Sequence, residues 1–320
     1  MAWGSVGDDA APPVLILHGG PGGRSRAASV NWFDGLGLRC VVHDQRGCGA
    51  STPAGALDHN DLEHLVADIE RLREHLGIAR WAVAGGSWGA LLAVAYAAQC
   101  PQRVEALFLR SPFLGSAGEV DRFFAAWPAW LGDEGADWLA GAAAAQGLRQ
   151  ALQRSPVDAL DVLALELGDA EVPASTVAGR IGRAWQAYEA AQAPPGGLRA
   201  QPRLRFAVPE PDGSPGGTLA ALPPSLVVQW HYLRQGCFVT DAVRAQWLAR
   251  LDSTLADRPV VLVHGLADEV CGPDTSRALA ARWPHAELTL VEEAGHDMDQ
   301  PALREALTAA AAHWVAGRHG

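Results

Sequence analysis

Trp81-Ala82-Val83-Ala84-Gly85-Gly86-Ser87-Trp88-Gly89, running on into the Ala/Leu-rich stretch Ala90 to Ala98, decides how the rest of the chain is read. The apolar residues Trp81 to Ala84 predict a buried strand, and the Ala/Leu stretch predicts a helix. Between them stands a serine bracketed by glycines. Glycine lacks a Cβ, so the chain can turn sharply and leave the serine hydroxyl at the end of a strand, beside a helix N-terminus. A G-x-S-x-G pattern by itself also fits a structural turn. Set between a strand and a helix, it has the context that presents a nucleophilic serine.

The flanking sequence alternates in the same way. Val14-Leu15-Ile16-Leu17 and Cys40-Val41-Val42 are short apolar runs of the kind found in buried parallel strands. From Asp61 to Leu76, apolar residues recur at helical spacing and stop at Gly77. The helix after Ser87 is expected to stop near Pro101, and Val104 to Arg110 reads as the next strand. The pattern returns with Val260 to Val263, Leu288 to Val291 and a terminal helix from about Pro301 to Val315. Such alternation predicts an α/β fold with a mostly parallel sheet covered on both faces. Between about Leu114 and Asp252 the chain is rich in Ala, Leu and Trp at helical spacing and poor in strand-like runs. The expected organisation is therefore a core over 1–113 and 253–320, interrupted by an inserted helical cap over 114–252. Within the cap, the Pro/Gly-rich stretch from Ala193 to Pro224 reads as a long loop or lid segment.

Composition narrows the function. A chain of 320 residues that is 49% hydrophobic can bury a large core. A formal charge of −11 argues against a nucleic-acid partner. Met1 to Pro13 has Asp8 and Asp9 and no positive region, and the apolar run after it is too short for a signal peptide or a membrane span. The five cysteines are scattered, with no C-x-x-C pair to suggest zinc or redox chemistry. A reduced, cytoplasmic protein without membrane attachment is expected.

Asp268 follows the strand Val260 to Val263, and His296 follows the strand Leu288 to Val291. Both lie beyond strand C-termini, the edge where open α/β sheets place their sites. The order Ser87, Asp268, His296 is that of the α/β-hydrolase triad. A single loop Asp or His is more often solvated than catalytic, but three in this order at three strand ends read as a set. His296 is then the base that takes the proton of Ser87, and Asp268 holds the imidazole in the required tautomer. His18-Gly19-Gly20-Pro21-Gly22-Gly23, after the first core strand, offers exposed backbone amides. The amides of Gly20 and Trp88 are the candidate oxyanion donors, each worth about 3–4 kcal/mol in the transition state. A phosphate cradle is the competing reading of that loop, but no Lys-[Ser/Thr] or G-x-G-x-x-G pattern accompanies it. Ser, His and Asp supply nucleophile, base and orienter, so neither metal nor organic cofactor is called for.

HGGPGG at 18–23, DQRGCGAST at 44–52, GGSWGA at 85–90 and AGH at 294–296 together resemble the prolyl aminopeptidase (proline iminopeptidase) family of serine hydrolases. The likeness runs along nearly the whole chain. It implies an α/β-hydrolase core with a helical cap, and release of an N-terminal residue, usually proline, from short peptides and amides. In the family, acidic cap residues read the substrate's free amine. The first carries over to Glu189, after Ala184-Trp185-Gln186-Ala187-Tyr188. The second precedes a His-Tyr pair, here His231-Tyr232, and the matching position is Gln229. Leu109-Arg110-Ser111-Pro112-Phe113-Leu114 resembles a family segment that implies a place near the substrate for Arg110 and Phe113. A surface ion pair and a cap-core aromatic are the plainer readings of these two. The chain departs from the family in HGLAD at 264–268, in the long stretch between Glu189 and Gln229, and in an N-terminus that lacks the family's first strand pair.

Gln229 leaves two readings open. A carboxylate on a protonated amine makes a charge-assisted hydrogen bond of roughly 1.5–3 kcal/mol, and an amide keeps the acceptor but loses the charge. In one reading, Glu189 still anchors the amine and the enzyme is an aminopeptidase or amidase with relaxed selectivity. In the other, the cap is re-tuned for an amide, ester or lactone without a free amine. The tryptophans Trp127, Trp130, Trp138, Trp185 and Trp230 fit an apolar acyl group there, or simply cap packing. The fold also supports lyase or acyl-transfer chemistry and ligand-binding receptors. The intact triad and oxyanion loop weigh against a pure binding protein. The partner expected is a small molecule or short peptide; the oligomeric state stays open.

Overall fold

The computed structural model describes residues 1–125 and 224–318. Strands β1 (Trp3–Val6), β2 (Pro13–Leu17), β3 (Arg39–His43), β4 (Trp81–Ser87), β5 (Val104–Pro112), β6 (Val260–Gly265) and β7 (Glu287–Val291) form one sheet in the order β1-β3-β2-β4-β5-β6-β7. β1 pairs antiparallel with β3, and every other neighbouring pair is parallel. The helices are a short α1 (Ala27–Val30), α2 (Leu62–His75), α3 (Trp88–Gln99), α4 (Ala117–Ala125), α5 (Pro224–Arg234), α6 (Asp241–Thr254), α7 (Asp274–Arg282) and α8 (Pro301–Gly317).

The continuous apolar runs follow from burial on both faces. Leu15, Leu17, Trp81 and Val83 join the core beneath α2, α3, α6 and α7. Their strand neighbours Val14, Ile16, Ala82 and Ala84 join the opposite layer with Trp32, Phe33 and the α8 residues Leu303, Leu307 and Trp314. Alternate side chains of one strand thus serve two layers, so neither set can be polar. α2 starts where Asp61 accepts a hydrogen bond from the His64 amide, an N-cap that satisfies one of the first-turn donors. α3 is buried from Trp88 to Ala98, which is why its sequence is apolar all round rather than striped.

Two features differ from expectation. The N-terminus contributes a strand: Trp3–Val6 pairs with β3 from Trp3 opposite His43 to Val6 opposite Cys40. It is an edge strand held by backbone hydrogen bonds and mostly exposed, so it lacks the apolar alternation that sequence reading depends on. Residue 252, the expected end of the cap, falls inside α6, whose Leu251 is fully buried in the same core layer as α3. Of the expected cap, 126–223 lie outside the described residues.

The elbow is formed by close approach. Neither Gly85 nor Gly89 has a positive φ; the positive φ belongs to Ser87, at φ 56° and ψ −126°. A Cβ on Gly85 would stand 2.2 Å from the Gly89 carbonyl oxygen, and one on Gly89 would stand 2.3 Å from that of Leu17. Glycine is needed because β2, β4 and α3 meet there with no room for a methyl group. Gly89→Ala is expected to cost about 3 kcal/mol in urea unfolding, the upper range for overpacking. A loss below about 1 kcal/mol would refute this account of the elbow.

At the end of β3, His43 is 1% exposed, and neither ring nitrogen meets a hydrogen-bonding partner among the described residues. Burial first, then the neighbouring His18, push its pKa from 6.5 to about 4. The folded state therefore binds fewer protons than the unfolded chain between these values. Its stability should be complete above pH 6.5 and fall as the pH drops towards about 4, by roughly 3 kcal/mol in all. His43→Leu should flatten that dependence in urea unfolding measured across the same range.

Candidate active site

Ser87 stands at the end of β4, on a strained backbone that turns its hydroxyl out of the sheet. It lines a cavity of about 720 Å³ together with Gly20, Arg110, Phe113, Gln229 and His296. Asp268 stands behind His296, its Oδ2 2.8 Å from the imidazole Nδ1. Oδ1 of the same carboxylate accepts from the amides of Val270 at 3.0 Å and Cys271 at 2.8 Å. Burial raises the Asp268 carboxyl, but the charge and hydrogen bond of His296 and the Cys271 amide outweigh it and hold the pKa at about 2. Asp268 is thus an ionised carboxylate with both oxygens engaged, and it fixes the orientation of the His296 ring.

The loops carrying Asp268 and His296 are tied together. The Ala267 amide donates to the Ala294 carbonyl at 2.8 Å. Gly265 permits this contact, because a Cβ there would lie 2.3 Å from the same oxygen. The hydroxyl of Ser87 pairs with the thiol of Cys271, Oγ to Sγ 3.8 Å. Burial and the charge of Asp268 raise the Cys271 pKa well above the ordinary thiol value, so the serine's neighbour is a neutral thiol. Sequence reading passed over Cys271, although it lies three residues beyond Asp268. Nothing in its local pattern marks it; only the fold of the loop brings it to Ser87.

The glycine-rich loop lies directly on the elbow. A Cβ on Gly19 would be 3.3 Å from the Gly86 carbonyl oxygen and 3.6 Å from the Ser87 Cβ. Gln45 couples this loop to the residue after the serine. Its amide nitrogen Nε2 donates to the His18 carbonyl at 3.0 Å, and its backbone amide donates to His18 Nε2 at 3.0 Å. Its Oε1 accepts from the Trp88 indole at 2.9 Å. An acceptor Nε2 leaves Nδ1–H to donate to the Gly19 carbonyl at 2.8 Å, the neutral tautomer that burial of His18 also favours. Gln45 is the second functional residue missed in the sequence. Its signal was its place in the DQRGCG stretch beside the two loops it joins.

Gln229 is 6% exposed, on the cavity wall. Its helix α5 is seated on the glycine-rich loop, since a Cβ on Gly22 would be 2.0 Å from the Ser225 carbonyl oxygen. The next turn is anchored by Tyr232, which donates to Asn60 Oδ1 at 2.7 Å and packs its ring 4.6 Å from that of Trp88. Arg110 is 3% exposed and makes no ion pair with a described residue, so the surface ion-pair reading is corrected. Its place in the central strand β5 takes it inward. Phe113 borders the cavity and also belongs to the core. Trp230 is buried among core residues. Glu189, Trp127, Trp130, Trp138 and Trp185 lie outside the described residues.

A cavity bearing a serine hydroxyl and an imidazole, with the far imidazole nitrogen on a buried carboxylate, has the parts for acyl transfer. Comparison with known proteins agrees with this chemistry. The family model for the alpha/beta hydrolase fold matches residues 12–298. A probable proline iminopeptidase from Leptolyngbya boryana is 34% identical over 315 residues, 97% of this chain and 89% of that protein. The proline iminopeptidase of Xanthomonas citri is 33% identical over 306 residues, 95% of this chain and 89% of that protein. Among solved structures, a proline iminopeptidase-related protein from Thermus thermophilus superposes with a TM-score of 0.56 at 25% identity, covering 98% of this chain and 94% of that one. The chain belongs to the proline iminopeptidase family of α/β hydrolases and is a serine-type hydrolase.

Replacing the buried carboxylate by an amide keeps the shape but allows the wrong imidazole tautomer. Asp268→Asn is expected to lower turnover by about 10⁴-fold with the fold intact by circular dichroism. A loss of less than about tenfold would remove Asp268 from the site.

Proposed function

We propose that the chain is an aminopeptidase that releases an N-terminal proline or small residue from short peptides and amides through an acyl-enzyme on Ser87. The observation that carries the proposal is the His296–Asp268 pair, 2.8 Å apart, on a cavity that also holds Ser87. In this reading neutral His296 takes the Ser87 proton as Oγ attacks the carbonyl carbon. The backbone amides of Gly20 and Trp88 receive the oxyanion, the second from the N-terminal turn of α3, where amides lack partners within the helix. His296 then returns the proton to the leaving amine, and water repeats the sequence to free the acyl group. Asp268 stabilises the imidazolium at each step. The names of the relatives support the peptidase reading, as does the identity spread along the whole chain.

The organisation proposed is a core interrupted by a cap that begins at 114 and ends before α6 (Asp241–Thr254), with Glu189 and Gln229 assigned to its acyl side by the family resemblance. No helix among the described residues is long and apolar enough to cross a membrane. A cytoplasmic enzyme acting on small substrates is the setting we infer, and all five cysteines being free is consistent with a reducing compartment.

Gln229 favours a second reading. It puts an uncharged amide on the wall where the family resemblance implies a carboxylate for the amine. The loss of that charge lowers transition-state stabilisation for a cationic substrate by about 10- to 100-fold unless Glu189 carries the task alone. The alternative is a hydrolase re-tuned for an amide, ester or lactone without a free amine. Proline p-nitroanilide and its N-acetyl form separate the two. The aminopeptidase should cleave only the free-amine compound, and Gln229→Glu should raise its kcat/KM by about tenfold. Equal cleavage of both compounds would overturn the amine-reading function and favour the second reading.

A further inference from the structure

Arg110 occupies the strand between the elbow and the acid loop. In β5 it lies opposite Gly86 of β4 and Val263 of β6. Its guanidinium lies against the backbone of Gly86, where a Cβ would stand 2.6 Å from both Nε and Nη2. Nη1 reaches across and donates to the His296 carbonyl oxygen at 2.7 Å. It forms no ion pair with a described residue, and its Nε has no hydrogen-bond partner among them. Burial of the guanidinium is costly and outweighs the favourable charges of Asp268 and Asp297 nearby, while the neighbouring β5 residues Phe108 and Leu109 are apolar. The cost points to a task that a Leu or Met could not perform.

The position of the histidine loop supplies one. Three successive residues, Ala294 to His296, are each held from outside the loop's own turn. The Ala294 carbonyl accepts from Ala267, the Gly295 amide donates to Gln300 Oε1 at 2.9 Å, and the His296 carbonyl accepts from Arg110. The first tie sets the loop relative to Asp268. The third sets it relative to the residue before Ser87, because the same guanidinium rests on Gly86. We propose that Arg110 is a positioning residue that fixes the approach of His296 to Ser87, and that it does not read the acyl group. The proposal rests on Ser87 and His296 being nucleophile and base, and displacements of a fraction of an ångström at such a pair are expensive in rate.

A small alkyl fluorophosphonate tests this without any demand on substrate recognition. The Ser87 Oγ–P bond forms as the P–F bond breaks, and the serine proton passes to His296 as fluoride leaves. Arg110→Met should slow labelling about 10- to 100-fold, lower kcat on p-nitrophenyl acetate by a similar factor, and leave KM within about threefold. Arg110→Lys, which keeps a donor and the charge, should recover most of the labelling rate. Circular dichroism and thermal melting check folding; if Arg110→Met does not fold, Arg110→Gln takes its place. A variant that labels at the wild-type rate while KM rises overturns the positioning role and makes Arg110 a substrate contact. Absence of labelling in folded wild type overturns both this proposal and the serine-hydrolase mechanism. Labelling without cleavage of proline p-nitroanilide overturns the aminopeptidase reading alone and leaves the Arg110 comparison decisive.

Discussion

The contact of Gly89 with the Leu17 carbonyl, at a distance that excludes a Cβ, is the constraint on which the site depends. It brings the end of β2 against the first turn of α3. The glycine-rich loop that continues from β2 is thereby laid over the serine that precedes α3. A methyl group at either elbow glycine would separate these elements. The backbone strain falls on Ser87, the one non-glycine residue of the elbow with a positive φ. That strain persists because β4 on one side and the buried helix α3 on the other over-determine the turn.

Around this contact Gln45 and Asp268 each close a polar circuit. Gln45 satisfies both the His18 carbonyl and the Trp88 indole, so the loop and the helix start move as one unit. Asp268 uses one oxygen for its own loop and the other for His296. In a low-dielectric interior such satisfied networks are rigid, and unpartnered groups are costly. The groups around Ser87 and His296 are therefore held on a frame with little freedom. Gln229 lies on a helix tied to Asn60 through Tyr232 and resting on the same frame, through the Trp88–Tyr232 contact and the close approach of Gly22 to Ser225.

Much of the fold was legible because burial on both faces leaves a strong record. Strands such as Val14 to Leu17 and Val260 to Val263 must be apolar along their length, and α2 must show its stripe and its Asp61 cap. β1 left no such record, since an exposed edge strand is held by backbone groups that every residue carries. The places of Ser87, Asp268 and His296 were legible for a related reason. Each follows a strand, and strand ends can be found from periodicity.

By itself, then, the sequence determined the α/β core, the order of the chemical groups at its strand ends and the family that shares its motifs. These depend on local pattern and on residue type. The tertiary structure alone decided that Cys271 faces Ser87, that Gln45 joins the glycine-rich loop to Trp88, and that Arg110 turns inward to the His296 carbonyl. It also located the elbow strain on the serine rather than on its glycines. The physical reason is that each of these is a contact between residues remote in the chain, or a dihedral imposed by such contacts. No spacing or propensity along the sequence encodes them until the sheet has brought the strand ends together.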